Sequence, residues 1–190
     1  MQIKIHLFMN DLSLHIIDII QNSLSAGAGL VTVSVNEDTQ ANCLTIEVGD
    51  NGKGMTKEQV DKLDDPFFTS RTTRRVGMGI PLFRQSARQS GGDVVIISEP
   101  GKGTDIKATF ELNNIDRPPL GDIANTIILM VSANPDKEFV FCYIYNGNEY
   151  CFDTREVKEV LEGLPLNDVS VIRMLTEMVS ENIKELKQQD

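Results

Sequence analysis

The chain has 190 residues, with 28 Asp and Glu against 18 Lys and Arg and a formal net charge of -10. That length can bury roughly two-thirds of the unfolded surface, so one domain plus a smaller appendage is expected. The acidic balance excludes non-specific nucleic-acid binding, which needs a basic face. Two histidines (His6 and His15) exclude a histidine-rich metal centre, and no apolar run approaches the roughly 20 residues of a membrane span. Met1 to Asn10 carries a single lysine and no long apolar core, so it does not read as a secretory signal. Cys43, Cys142 and Cys151 show no metal-ligand spacing, and their odd count fits a reducing cytosol; the expected location is cytoplasmic.

In chain order, 3–8 alternates as a short strand. Residues 11–28 carry apolar side chains at 12, 16, 19, 20 and 24, the spacing of a helix, with Asp11 or Ser13 as N-cap. Residues 30–36 and 43–48 read as β-branched strands, and 50–55 (DNGKGM) as a loop at the end of the second. A short helix over 57–63 precedes a basic stretch with Arg71, Arg74 and Arg75, and no acid occurs between Pro66 and Gly92. A helix over about 80–90 and strands at 93–98 and 104–112 complete this part. The order of elements implies an α/β sandwich rather than a strict βαβ repeat. Two prolines mark 116–122 as a linker. Beyond it the pattern predicts a helix (123–133), a hairpin (138–145 and 148–152) across Asn146-Gly147, and helices at 154–162 and 168–187, the first with capping-box spacing at Asp153 and Glu156. The division is thus 1–115, a linker at 116–122, and a C-terminal α+β region at 123–190.

Neither a G-x-x-x-x-G-K-[ST] loop nor a strand-G-x-G-x-x-G-helix is present. Four separated pieces remain. Asp18 and Asn22 share one helix face at i and i+4, a carboxylate able to orient or deprotonate water and an amide able to ligate Mg²⁺. Asp50 with Gly52 and Gly54 offers a carboxylate at a strand end, where it can accept from an exocyclic amine, beside backbone that permits close approach. The arginine-rich, glycine-bearing stretch suits phosphate. The fourth is EPGKGT at 99–104. Singly, each reads as readily as a solvated helix face, a tight turn, a basic loop or a hairpin turn.

In this order the pieces resemble the GHKL superfamily of ATPases, which includes gyrase, the large heat-shock chaperone, histidine kinases and MutL. DIIQNSLSAGA resembles the N box, DNGKGM the G1 box, PFFTSR the F box of histidine kinases, GMGIPL the G2 box and GKGT the G3 box, over about residues 10–113. The resemblance implies a two-layer sandwich of the Bergerat ATP-binding type with a small α+β appendage. It implies ATP and Mg²⁺ as cofactors, Asn22 as the metal ligand and Asp18 as the catalytic carboxylate. Asp50 would bind the adenine amino group with help from a water and Thr104, while Ala26, Gly52, Gly54 and Met55 shape the pocket. Residues 66–79 would form an ATP lid, disordered without nucleotide, with Phe68, Ser70 and Arg71 near the ligand. Gly77, Met78, Gly79 and Ile80 would meet the phosphates at a helix N-terminus. Two departures stand out: Asp18 replaces the usual Glu and is one methylene shorter, and Arg71 replaces a common Lys, altering the geometry of the charge.

The N box begins close to the start of the sequence, leaving no room for a phosphoacceptor helix, and His15 lies within the N-box helix, where a packed side chain is the plain reading. Three readings stay open: phosphate transfer to an unknown protein partner in signal transduction, slow ATP hydrolysis using Asp18, and a nucleotide-gated binding module. No nucleic-acid or membrane partner is expected, and a homodimer could form through the C-terminal region. A two-residue Asn146-Gly147 turn pairs Cys142 with Cys151 at a non-hydrogen-bonded position, roughly 4.5 Å between Cα atoms. In a cytosolic protein they are expected to be two reduced, packed thiols, with a redox switch as the sharper alternative.

Overall fold

The computed structural model describes residues 11–63 and 79–188, which form an α/β fold with one layer of helices on one face of a mixed sheet. The segment that opens it, α1 (Leu12–Ser25), starts at Asp11, whose carboxylate accepts from the Leu14 amide. Leu12, Ile16, Ile19 and Ile20 are at most 2% exposed, as their spacing predicts. The final turn differs from expectation: Ser23 is buried and Leu24 only half-buried, because the Ser23 hydroxyl has a partner on the sheet.

Strands β1 (Leu30–Asp38) and β2 (Cys43–Asp50) form an antiparallel pair. After α2 (Lys57–Val60), α3 (Gly79–Gln89) leads into β3 (Val94–Glu99) and β4 (Gly103–Glu111). The C-terminal part supplies α4 (Ile123–Ala133), β5 (Glu138–Tyr145), β6 (Asn148–Asp153), α5 (Thr154–Val160) and α6 (Val169–Leu186). The sheet order is β3-β4-β2-β1-β5-β6, antiparallel throughout except for the parallel pairing of β1 with β5. Alternate residues of each strand face the helices: Val31, Val33 and Val35 of β1, Leu44, Ile46 and Val48 of β2, Phe139, Phe141 and Tyr143 of β5. Each such side chain contributes roughly 1.5–3 kcal/mol by leaving water.

The C-terminal strands extend the same sheet, and one buried cluster contains side chains from both parts of the chain. Residues 116–122 run against the start of α1, where the Pro119 and Leu120 carbonyls accept from the Leu12 and Ser13 amides at 2.9 and 3.0 Å. These amides are helix-end donors with no intrahelical partner, so the proline-containing segment supplies their acceptors.

Asn146 and Gly147 have φ of 49° and 88°, as a two-residue primed turn requires, and the predicted register follows: Tyr143 opposite Tyr150, Cys142 opposite Cys151. The two Cα atoms are 4.2 Å apart and the sulfurs are bonded. The expectation of two reduced thiols is corrected here: it rested on compartment, whereas the register itself sets the sulfurs within bonding reach. Asp153 caps α5, but it accepts from the Arg155 amide at 2.9 Å and pairs with the Arg155 guanidinium at 2.6 Å. A full capping box is found instead at α2, between Thr56 and Gln59.

Candidate functional site

The helix-facing end of β2 meets the C-terminal end of α1 at Asp50. Its two carboxylate oxygens are held separately: Oδ2 accepts from the Ser23 hydroxyl at 2.7 Å, and Oδ1 from the Gly52 amide at 2.8 Å. A carboxylate oxygen can accept two hydrogen bonds, so each keeps capacity for a ligand donor. Asn51 is structural: its Oδ1 accepts from the Gly29 and Leu30 amides at 2.8 and 2.9 Å, fixing the start of β1.

Asp50 and Thr104 are cross-strand partners of β2 and β4. The Thr104 hydroxyl lies 2.8 Å from that of Ser98, which accepts from the Met55 amide at 2.8 Å and donates to the Gly103 carbonyl at 2.9 Å. A hydroxyl has one proton and two lone pairs. The Ser98 proton is committed to Gly103, so Thr104 must donate to Ser98, leaving the Thr104 oxygen as an acceptor beside Asp50. An acceptor pair on one wall suits an amine or a bridging water.

The loops around this wall lie backbone to backbone. A Cβ on Gly54 would sit 2.0 Å from the Glu99 carbonyl oxygen, and one on Gly103 1.8 Å from that of Asp50, both at positive φ. The Lys53 carbonyl accepts from Gly101 at 2.7 Å, and the Lys53 amide donates to Ala26 at 3.0 Å. A Cβ on Gly52 would meet Asp50 Oδ1 and the Ala26 carbonyl at 2.9 and 3.0 Å. The close approach these glycines permit is therefore between segments of the protein.

The second part of the site is where α3 starts. Gly79, its first residue, packs against α1 so closely that a Cβ there would lie 3.1 Å from Asp18 Oδ2. Asp18 is half-buried, Asn22 is exposed one turn along, and Ile80 is buried. The structure thus brings Asp18 and Gly79 together, and Ala26, Asp50, Gly52, Gly54, Met55 and Thr104 together around the β2 end. Phe68, Ser70, Arg71, Gly77 and Met78, with every residue of the predicted lid except Gly79, lie outside the described residues. Sequence reasoning missed Ser23 and Ser98. Ser23 had a signal, a hydroxyl beside Asn22 on a helix whose apolar stripe it interrupts; Ser98 had none, since its role depends on strand pairing.

Among the described residues, one group of three side chains places metal-ligating atoms together, Cys142, Glu149 and Cys151, but its two sulfurs are bonded to each other. No helix of the described residues is long and apolar enough to cross a membrane.

Residues 8–114 match the family described as histidine kinase-, DNA gyrase B-, and HSP90-like ATPase. Among curated relatives, sporulation kinase C of Bacillus subtilis is 30% identical over 107 residues, covering 55% of this chain and 24% of the kinase. The sensor histidine kinase WalK of the same organism is 34% identical over 100 residues (49% and 16%), and ZraS of Escherichia coli 28% over 93 (49% and 19%). The chain therefore spans a quarter or less of the length of these relatives. A solved N-terminal domain of a DNA repair protein superposes with a TM-score of 0.55 at 15% identity, over 75% of this chain and 52% of that one, which shows the shared fold. With more than half of the chain matched, this protein belongs to the histidine kinase-, DNA gyrase B- and HSP90-like ATPase family, with an ATPase domain of the histidine kinase type.

Proposed function

We propose that the chain binds ATP with Mg²⁺ and acts in signalling through a partner protein. The observation that carries this reading is the Asp50 carboxylate, held by Ser23 and Gly52 with acceptor capacity to spare, beside the acceptor oxygen of Thr104. Two acceptors on one wall favour the adenine amino group over the guanine carbonyl. Asn22 is exposed and its amide oxygen suits a hard cation, so it would hold the metal, which would supply charge neutralisation for the phosphates. The start of α3 offers amides and the positive end of the helix dipole to the phosphates. Thermal melts with Mg²⁺ and ATP, ADP or GTP test the reading. At a hundredfold excess over Kd, ligand stabilises by roughly 2.7 kcal/mol; a shift with ATP and ADP but not GTP is expected, and no shift with either adenine nucleotide overturns it.

A second reading is supported by Asp18, which lies against the first residue of α3, beside the helix end proposed to take phosphate. There a carboxylate can orient a water for slow hydrolysis. Incubation with γ-labelled ATP separates the outcomes: label on a partner protein supports transfer, free phosphate lost in Asp18→Asn supports hydrolysis, and neither leaves a nucleotide-gated binding module.

A further inference from the structure

The β5–β6 hairpin forms one edge of the sheet. Phe141, Tyr143 and Phe152 are buried against the helices, so Cys142 and Cys151 point to the opposite, open face. Glu149, two residues before Cys151, shares that face. Cys151 and Glu149 are exposed and Cys142 is half-buried. The two sulfurs and a Glu149 carboxylate oxygen all lie within 4.8 Å of one another. Asp153, the other acid on this face of β6, is paired with Arg155, whereas the Glu149 carboxylate has no partner among the described residues.

We propose that reduction of the Cys142–Cys151 bond turns the hairpin into a binding site for a thiophilic divalent cation of the Zn²⁺ type, held by the two thiolates and the Glu149 carboxylate with water in the fourth position. A dithiol supplies the two electrons. One of its thiolates attacks the exposed Cys151 sulfur, and Cys142 leaves as a thiolate and takes up a proton. The second thiol of the reductant then displaces Cys151, leaving two protein thiols and an oxidised dithiol. The cation releases both thiol protons as it binds. Two Zn–S bonds of about 2.3 Å at a tetrahedral angle set the sulfurs about 3.8 Å apart. Side-chain rotation supplies this between opposed residues whose Cα atoms are 4.2 Å apart. The register survives reduction, because the Asn146-Gly147 turn sets it. A Zn–O bond of about 2.0 Å needs the carboxylate oxygen about 3.5 Å from each sulfur, and rotation of the exposed Glu149 side chain closes that gap. Thiolates are soft ligands, so the site selects Zn²⁺ over Mg²⁺. Disulfide and metal exclude each other, and the hairpin thereby reports the surrounding thiol redox state. The inference goes beyond the ATP-binding reading and uses none of its residues.

Cobalt(II) is the probe, because thiolate ligation gives it a charge-transfer absorption that carboxylates alone do not. The full chain is reduced with dithiothreitol, freed of it by desalting without oxygen, and titrated with Co²⁺. One equivalent should bind with thiolate charge transfer and be displaced by Zn²⁺ but not by Mg²⁺; oxidised protein should show no such band. Loss of even an outer partner of a metal site costs about 10–100-fold in affinity. Cys142→Ser and Cys151→Ser should therefore each cost at least about a hundredfold, and Glu149→Gln at least about tenfold. Cys43→Ser, which removes the remaining thiol, should bind as wild type does. No charge-transfer band in the reduced protein overturns the proposal, as does full affinity in Glu149→Gln. A band in oxidised protein, or one lost in Cys43→Ser, assigns the metal to Cys43 and also overturns it. Far-UV circular dichroism should be unchanged by reduction; a chain that unfolds when reduced has no hairpin to hold the ligands, and the proposal falls. Should a serine variant fail to fold, the oxidised and reduced wild type, with Cys43→Ser, decide the matter.

Discussion

The two ends of the site are built differently. At the β2 end, position is enforced by backbone: loops 50–55 and 99–104 touch main chain to main chain, and Asp50 is held by an amide and a hydroxyl. At the α3 end, two helices meet through side chains, with Asp18 against Gly79 and the His15 ring against Phe83. A wall made of backbone tolerates few substitutions and has one shape. A junction made of side chains can be tuned one residue at a time, with smaller effects. On the proposed ATP-binding reading, the rigid end would take the base and the tunable end the phosphates.

The largest expected effect comes from Gly54→Ala. The new Cβ would lie 2.0 Å from the Glu99 carbonyl oxygen at φ 63°, so the loops must separate. Backbone strain and the broken contact together should cost about 4 kcal/mol or more. Chemical denaturation measures it; a loss below about 1 kcal/mol would show that the loop contact is soft and remove the contrast. Asp50→Ala comes next. It should weaken ATP and adenosine alike by at least about a hundredfold, the scale of losing a charged hydrogen-bond partner of the base. Calorimetric binding at fixed Mg²⁺ checks this, and retention of affinity would relocate the adenine site.

At the other end, His15 gives a pH signature. Burial lowers its pKa from 6.5 to about 4 against the opposing pull of Asp11. The folded state therefore holds a neutral imidazole while the unfolded chain takes up a proton below 6.5. The stabilisation is complete above that value and is lost as pH falls towards 4. Between pH 7.5 and 5 the loss should be about 2 kcal/mol, and it should be absent from His15→Phe. Unfolding midpoints of the two proteins at both pH values provide the test; parallel curves would mean that His15 charges freely in the fold.

These effects show which parts of the molecule could be read in sequence. Strand and helix periodicity carried the elements among the described residues, outside which the strand expected at 3–8 lies, and the Asn146-Gly147 turn carried the hairpin register down to Cys142 and Cys151, because both are local rules. The parallel pairing of β1 with β5, which carries the C-terminal part into the same sheet, depends on contacts more than a hundred residues apart in the chain, and no local pattern records it. The site divides in the same way. Asp50, Asn22 and the glycines stood out by motif. Ser98 could not, because its value lies in saturating Met55, Gly103 and Thr104 at once. His15 looked like an ordinary packed histidine; what distinguishes it is a buried Nδ1 without a hydrogen-bond partner, against the Phe83 ring.

Ser23→Ala is the smallest perturbation and the sharpest probe of the division between the two ends. Ser23 is buried on α1, one residue after Asn22, yet its hydroxyl serves the β2 end by donating to Asp50 Oδ2 at 2.7 Å. Removing it leaves the carboxylate held by the Gly52 amide alone, free to rotate, and short of one charge-assisted bond. The expected loss is about 1.5 kcal/mol in binding, roughly tenfold in Kd. Because the fault is in how Asp50 is aimed, adenosine and Mg-ATP should weaken by the same factor. Ser23→Thr keeps the hydroxyl and should stay closer to wild type, provided the extra methyl is accommodated at this buried position. If Ser23→Ala weakened Mg-ATP while leaving adenosine untouched, α1 would serve the phosphates along its whole length, and the separation of a backbone-built base wall from a side-chain-built phosphate junction would not hold.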